Sequence, residues 1–273
     1  MTNSSERRSH KKFPLSWQAL FSGMMFIFMY LPILVLAVYS FNESRYGALW
    51  QGFSLRWYAM MFGDSRLLLS LKDSLVVAIC AVVFSSVLGT MMAVGLARYQ
   101  FAGKSLYRGI SYLPLIIPDI TIAVSTLIFL ATIAIPLSIW TIIAAHMVFC
   151  LAYIAIVVST RLTGLNPHLQ EAALDLGATP IQAFMKVLLP ELMPAIVSGC
   201  LLAFILSMDD LLISSFTAGG GANPLPIEIF SRIRTGVKPD INALSVVLIT
   251  GSGVIAFIAE YIRFRSTQQR SQP

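Results

Sequence analysis

Six apolar stretches constrain this 273-residue chain more than any other feature: roughly 20–41, 70–97, 109–134, 138–160, 192–217 and 241–262. Each can cross about 30 Å of hydrocarbon at about 1.5 Å per helical residue. Lipid offers backbone groups no hydrogen-bond partner, so all six are expected to be helical, and the fold class is an all-α integral membrane protein with six transmembrane helices. Only 12% of the residues are charged, against about 25% in an ordinary soluble domain. Basic residues precede the first stretch, but its apolar run is too long for a signal peptide and no A-x-A-type cleavage site follows, so it reads as an uncleaved first helix.

The formal net charge of +6 does not mark a nucleic-acid binder, because Lys and Arg cluster at the ends of apolar runs and form no basic stripe. Twelve of the 19 fall on one side: Arg7, Arg8, Lys11 and Lys12; Arg98, Lys104 and Arg108; Arg161 and Lys186; Arg263, Arg265 and Arg270. The positive-inside rule then places both termini in the cytoplasm. Cys80, Cys150 and Cys200 lie in three different apolar runs without metal-ligand spacing and read as buried packing residues. Gly103-Lys104-Ser105 is similar to the end of a phosphate-binding P-loop, but Arg98 stands where that motif needs Gly. Any ATP chemistry is therefore expected from a partner, and the chain has no expected catalytic or metal site.

Within the second stretch Ser85, Gly89, Ala93 and Ala97 recur every four residues, a row of small side chains that lets another helix approach closely. Ser54 to Phe62 reads as a short interfacial helix with Leu55, Tyr58, Ala59 and Phe62 on one face and Trp57 beside it.

The most informative segment is 161–191, between the fourth and fifth stretches, too charged to cross a membrane and too periodic for a linker. A helix is expected to begin at Asn166 or Pro167, to carry Glu171-Ala172-Ala173, and to end at Gly177; Val187-Leu188-Leu189-Pro190 follows. The Ala pair leaves a surface small enough to enter a groove, and a short rigid helix can transmit a push. This spaced pattern resembles the EAA loop of the permease subunits of bacterial ABC importers, with Val187 where the pattern favours Ile. The resemblance implies the type I ABC importer permease fold and a role in ATPase coupling for Glu171, Ala172, Ala173, Gly177, Leu189 and Pro190.

Further runs look like the polyamine permeases of the putrescine and spermidine type: His146 to Cys150, Ser207-Met208-Asp209-Asp210-Leu211, Leu225-Pro226, and Gly236 to Leu244. That resemblance implies a bacterial inner-membrane location, a heterodimer with a second permease, two copies of a cytoplasmic ATPase that uses ATP and Mg, and a periplasmic polyamine-binding protein. It divides the chain into a cytoplasmic tail (1–19), a first helix with its periplasmic loop (20–66), a type-1 transmembrane domain (67–262) and a cytoplasmic tail (263–273). The binding protein is expected to dock on outer loops that include a flexible Gly219-Gly220-Gly221 turn and the Ile227 to Arg234 segment.

Four acid or histidine residues lie well inside apolar stretches, away from their ends: Asp119, His146, Asp209 and Asp210. An unpaired acid in hydrocarbon costs about 2.5–3.5 kcal/mol, so each should face protein or a watery cavity, and all four are candidates for the path of a polycation. Asp209 and Asp210 point about 100° apart on a helix, so one can line a path while the other caps a helix break. Asp119, after Pro114 and Pro118, can equally accept freed backbone N–H groups, and His146 can simply bond across helices. A permease for another solute, a stand-alone secondary transporter and a membrane-embedded enzyme are the rival readings. The second leaves the loop without purpose, and the third lacks converging catalytic groups. An anion importer would hardly favour acids in its path.

Overall fold

The computed structural model describes residues 17–44, 49–235 and 239–270. The basic residues of the N-terminal tail, with Arg45 and Lys238, lie outside them. In chain order the helices are α1 (Trp17–Tyr39), α2 (Arg56–Gly63), α3 (Ser65–Arg98), α4 (Lys104–Tyr112), α5 (Asp119–Thr132), α6 (Ile139–Thr163), α7 (Leu169–Asp175), α8 (Pro180–Ala183), α9 (Leu189–Asp209), α10 (Leu212–Thr217), α11 (Leu225–Thr235) and α12 (Pro239–Arg270). A π-helical turn, Phe184–Leu188, joins α8 to α9, making Pro180–Asp209 one continuous apolar rod.

Among the described residues, α1, α3, α6 and that rod are long and apolar enough to cross a membrane. The third expected span is not straight: Lys104–Leu115 and Asp119–Thr132 meet at 107°. Pro114 and Pro118 stand at the elbow, and neither has an N–H with which to carry the helix on: Pro114 lies in a 3-10 turn, Leu113–Leu115, and Pro118 directly precedes α5. The fifth was expected to run to 217, but α9 stops at Asp209 and α10 starts anew. At the position of the sixth, α12 is helical for 32 residues, with a described apolar portion of Asp240–Val254.

Helix α6 is the centre of the bundle, packed between α3 and α9. Two glycines permit this. A Cβ on Gly89 would come within 3.0 Å of the Leu151 carbonyl, and one on Gly199 within 3.2 Å of the Ile154 Cα. Ser85, Gly89 and Ala93 are buried on this seam, whereas Ala97 is exposed and Leu96 takes the inward position. Ile142, Ile154, Leu188, Leu192 and Ile213 fill the core around them. By contrast α1 buries no side chain and rests on α12 at the edge.

The short helix α2 exists, but its buried face is Trp57 and Met61, while Leu55 and Phe62 are exposed. The indole explains the rotation: Trp57 Nε1 donates to the buried Asn42 carbonyl at 2.8 Å, pinning α2 to the end of α1. Nor is the glycine turn simply flexible, because a Cβ on Gly219 would collide with the Leu137 carbonyl.

Candidate coupling loop and intramembrane polar knot

The loop between α6 and α9 is built from local signals. Asn166 Oδ1 accepts from the His168 N–H at 3.0 Å, and α7 starts at Leu169, two or three residues after the expected start at Asn166 or Pro167. It ends in a Schellman motif: the Gly177 N–H reaches the Leu174 carbonyl at 2.9 Å, and the Ala178 N–H reaches the Ala173 carbonyl at 3.0 Å. Gly177 has φ +86°, a region that costs any residue with a Cβ about 1–2 kcal/mol. Thr179 then caps α8 in a reciprocal box with Gln182.

Two contacts hold this loop to the bundle. Arg98 at the end of α3 donates to the Pro167 carbonyl at 2.9 Å, and Arg161 pairs with Glu191 at 3.3 Å. Glu171 meets His168 at 2.7 Å with both side chains exposed. Of the expected coupling residues, Glu171, Ala172, Gly177 and Pro190 stand on the open surface, Leu189 is half-buried, and Ala173 is turned inward. The small exposed surface expected of the Ala pair therefore reduces to Ala172. Sequence reasoning missed Leu188 and Leu192, which are fully buried and root the rod, and Leu176, Ile181 and Met185, which are exposed around the Gly177 turn. At 90% exposure Leu176 is an apolar side chain that nothing among the described residues covers. The available signal was apolar residues flanking a helix-ending Gly in an otherwise polar loop.

Some 20 residues along the rod, the second site closes on itself. Asp210 caps α10, accepting from the Ile213 N–H at 3.2 Å and the Ser214 N–H at 2.7 Å. The same carboxylate lies 3.2 Å from His146 Nε2 of α6. His146 is buried, with Nδ1 2.7 Å from Ser207 Oγ and Nε2 3.1 Å from Ser214 Oγ. One imidazole thus bridges the last turn of α9, the break and the first turn of α10. Asp209, one residue earlier, is exposed on the other side of the helix, as is Asp119 at the start of α5. The structure brings His146 and Asp210 together and leaves Asp119 and Asp209 apart from them. Ser207 and Ser214 were not singled out from sequence, although both stand within four residues of Asp210.

At the same end of the bundle Arg232 of α11 binds three carboxylates: Asp64 and Glu228 at 2.8 Å, and Asp240 at 3.2 Å. Partial burial works to raise the Asp64 carboxyl, but the Arg232 bond and the N–H groups of Leu67 and Arg66 outweigh it, so its pKa lies below the ordinary value. For Arg232, partial burial works downward and the bonds to Glu228 and Asp64 prevail, raising it. Asn223 extends the network to Asp73, Ser70 and Glu228.

Residues 85–268 match the family described as "Binding-protein-dependent transport system inner membrane component". The chain is 41% identical over 262 residues to the putrescine transport system permease protein PotI of Escherichia coli K12, covering 93% of each. It is 37% identical over 242 residues to the spermidine/putrescine transport system permease protein PotC of the same organism, covering 89% of this chain and 92% of that one. A solved bacterial ABC transporter involved in the import of alginate shares the fold with a TM-score of 0.71 at 17% identity, over 91% of this chain and 94% of that one.

Proposed function

Because the chain belongs to the family of inner-membrane components of binding-protein-dependent transport systems, we propose that it is the permease subunit through which an ABC importer moves polyamines, putrescine or spermidine, by alternating access. The observation that carries this reading is the 41% identity to a putrescine permease, spread over 93% of both chains. The loop geometry supports it. An α7 ended by a left-handed glycine, with Leu176 and Ile181 exposed beside it, is a stiff apolar surface ready to enter a groove on a second protein.

In this reading the loop and both termini are cytoplasmic, and two copies of a separate ATPase, using ATP and Mg, seat α7. The chain performs no covalent chemistry. Closure of the ATPases pushes on the 30-residue rod rooted by Leu188 and Leu192, which at about 1.5 Å per residue carries the movement about 45 Å to the break at Asp210. A second permease completes the path, and a periplasmic binding protein delivers substrate at the α11 end. Asp209 and Asp119, exposed on this chain, supply weak acid contacts for a polycation, and few acids favour easy exit.

Uptake of labelled putrescine and spermidine in cells lacking their own polyamine importers tests the reading. Uptake is expected with the complete set of subunits and none without the ATPase. Persistent uptake without the ATPase would establish a secondary transporter instead, and preference for a phosphonate or sugar would remove the polyamine assignment.

A further inference from the structure

Helix α4 takes no part in either site, yet it has two unlike faces. Leu106, Tyr107 and Ile110, with Leu113 just beyond, are exposed on one; Lys104, Arg108, Ser111 and Tyr112 form the other. A short helix so divided is suited to the membrane interface, and the 107° elbow turns it away from the direction of α5. Its polar face closes a pocket of about 360 Å³ against α3 and α6, at the end of the bundle that carries the coupling loop. Arg108 lines this pocket with Tyr112, Ser159, Thr160 and Thr163.

Among the described residues the Arg108 side chain has neither an ion-pair nor a hydrogen-bond partner. Tyr112 and Ser159 share one hydrogen bond of 3.0 Å, which leaves one of their two hydroxyl hydrogens free to donate outward. A cation and a spare hydroxyl donor therefore meet in one concavity whose lining includes no carboxylate. Directly beside it, across Leu96, lies a second pocket of about 540 Å³ walled by apolar and aromatic side chains, among them Met91, Met92, Phe101 and Tyr107. Polar concavity and apolar groove adjoin at the depth where an interfacial helix runs, which is the layout of a phosphate headgroup and its acyl chain.

We infer that these two pockets hold one anionic phospholipid, its phosphate on Arg108 and the Tyr112–Ser159 pair and an acyl chain in the methionine-lined groove. The apolar face of α4 lies in the surrounding lipid and fixes the depth of the site. Charge selects the headgroup, since a phosphate with net negative charge satisfies the guanidinium and a zwitterionic lipid brings its own cation. The site is independent of which solute the chain moves.

Native mass spectrometry of the assembled membrane complex containing the full chain, exchanged into phosphatidylglycerol or phosphatidylcholine nanodiscs and then released, reads it directly. Phosphatidylglycerol should be retained about tenfold over phosphatidylcholine, a preference that Arg108→Gln abolishes and Arg108→Lys largely keeps. Met92→Trp should lower retention with every charge in place, and glycerol phosphate should not displace the lipid. Equal retention by Arg108→Gln at normal assembly would overturn the site. Displacement by glycerol phosphate would make it a soluble-anion site, and cross-linking of the Tyr107→Cys variant to a second permease would make this face a subunit interface; either result also overturns the lipid.

Discussion

The coupling loop and the polar knot at His146 differ in what they leave unfinished. In the knot every polar group has a partner within the chain: Asp210 caps α10 and meets His146, and both ring nitrogens of His146 meet serine hydroxyls. In the loop the backbone is finished by a Schellman turn and a capping box, but Leu176, Ile181 and Met185 remain open. Burying an unsatisfied polar group costs about 1–3 kcal/mol, so the membrane interior forces closure within the chain. The loop, in water, can keep apolar surface for another protein. A residue of the knot should therefore fail by loss of assembly, and a residue of the loop by loss of coupling.

The largest effect should come from Gly177→Pro. Proline holds φ near about −65° and has no N–H for the Leu174 carbonyl, so α7 cannot end as it does. We expect labelled-polyamine uptake to fall about a hundredfold with normal amounts of subunit in the membrane. Glu171→Lys and Leu176→Asp should act alike, because they alter the surface and spare the turn. Normal uptake with normal ATPase association in these variants would break the distinction between the two regions.

Asp210→Ala should act in the opposite way. It strips two N–H groups at the start of α10 of their acceptor and leaves buried His146 without its acid, for a loss of about 3 kcal/mol in detergent unfolding and less assembled complex. Asp210→Asn should cost less, since the amide oxygen still caps. If Asp210→Ala instead assembles normally and raises the half-saturating polyamine concentration, Asp210 belongs to the path.

Two glycines sharpen the contrast at smaller cost. Gly89→Ala forces a methyl to within 3.0 Å of the Leu151 carbonyl and should destabilise the bundle by about 1–3 kcal/mol through overpacking. Gly177→Ala meets nothing within 4 Å, so only its positive φ is at stake, about 1 kcal/mol felt locally in α7, and Gly177→Asn should recover part of it. Equal global melting shifts for the two would contradict this division.

Smallest are the effects at the far end. Arg232→Gln leaves three carboxylates without their cation and should cost about 1 kcal/mol, reduced by salt, because all four groups are partly in water. The pH dependence follows from Asp64, whose folded pKa is depressed. Its contribution is complete above the ordinary 3.8 and lost as pH falls through the lower folded value. The wild type should therefore lose more stability on strong acidification than Arg232→Gln, which keeps only the part due to the Leu67 and Arg66 N–H groups, measurable as the difference between their acid melting curves.

The sequence by itself determined the membrane class, four of the six expected spans, and the loop. These rest on local quantities, namely apolar run length, the positions of Lys and Arg, and the spacing from Glu171 through Gly177 to Pro190. It even held the reason for the elbow in Pro114 and Pro118, though not its 107°. Tertiary structure alone decided which side chains meet. His146 lies 61 residues from Ser207 and 68 from Ser214, and no local period links them. They meet because two glycines let α3 and α9 close on α6 and because α9 breaks at Asp210. Helix facing was likewise out of reach, as Trp57 and Ala173 show: an indole bonded to Asn42 turned α2, and packing took Ala173 out of the exposed pair. Periodicity says which residues share a face, but only the neighbours, through the cost of a missing hydrogen bond or a lost contact, decide which face is turned inward.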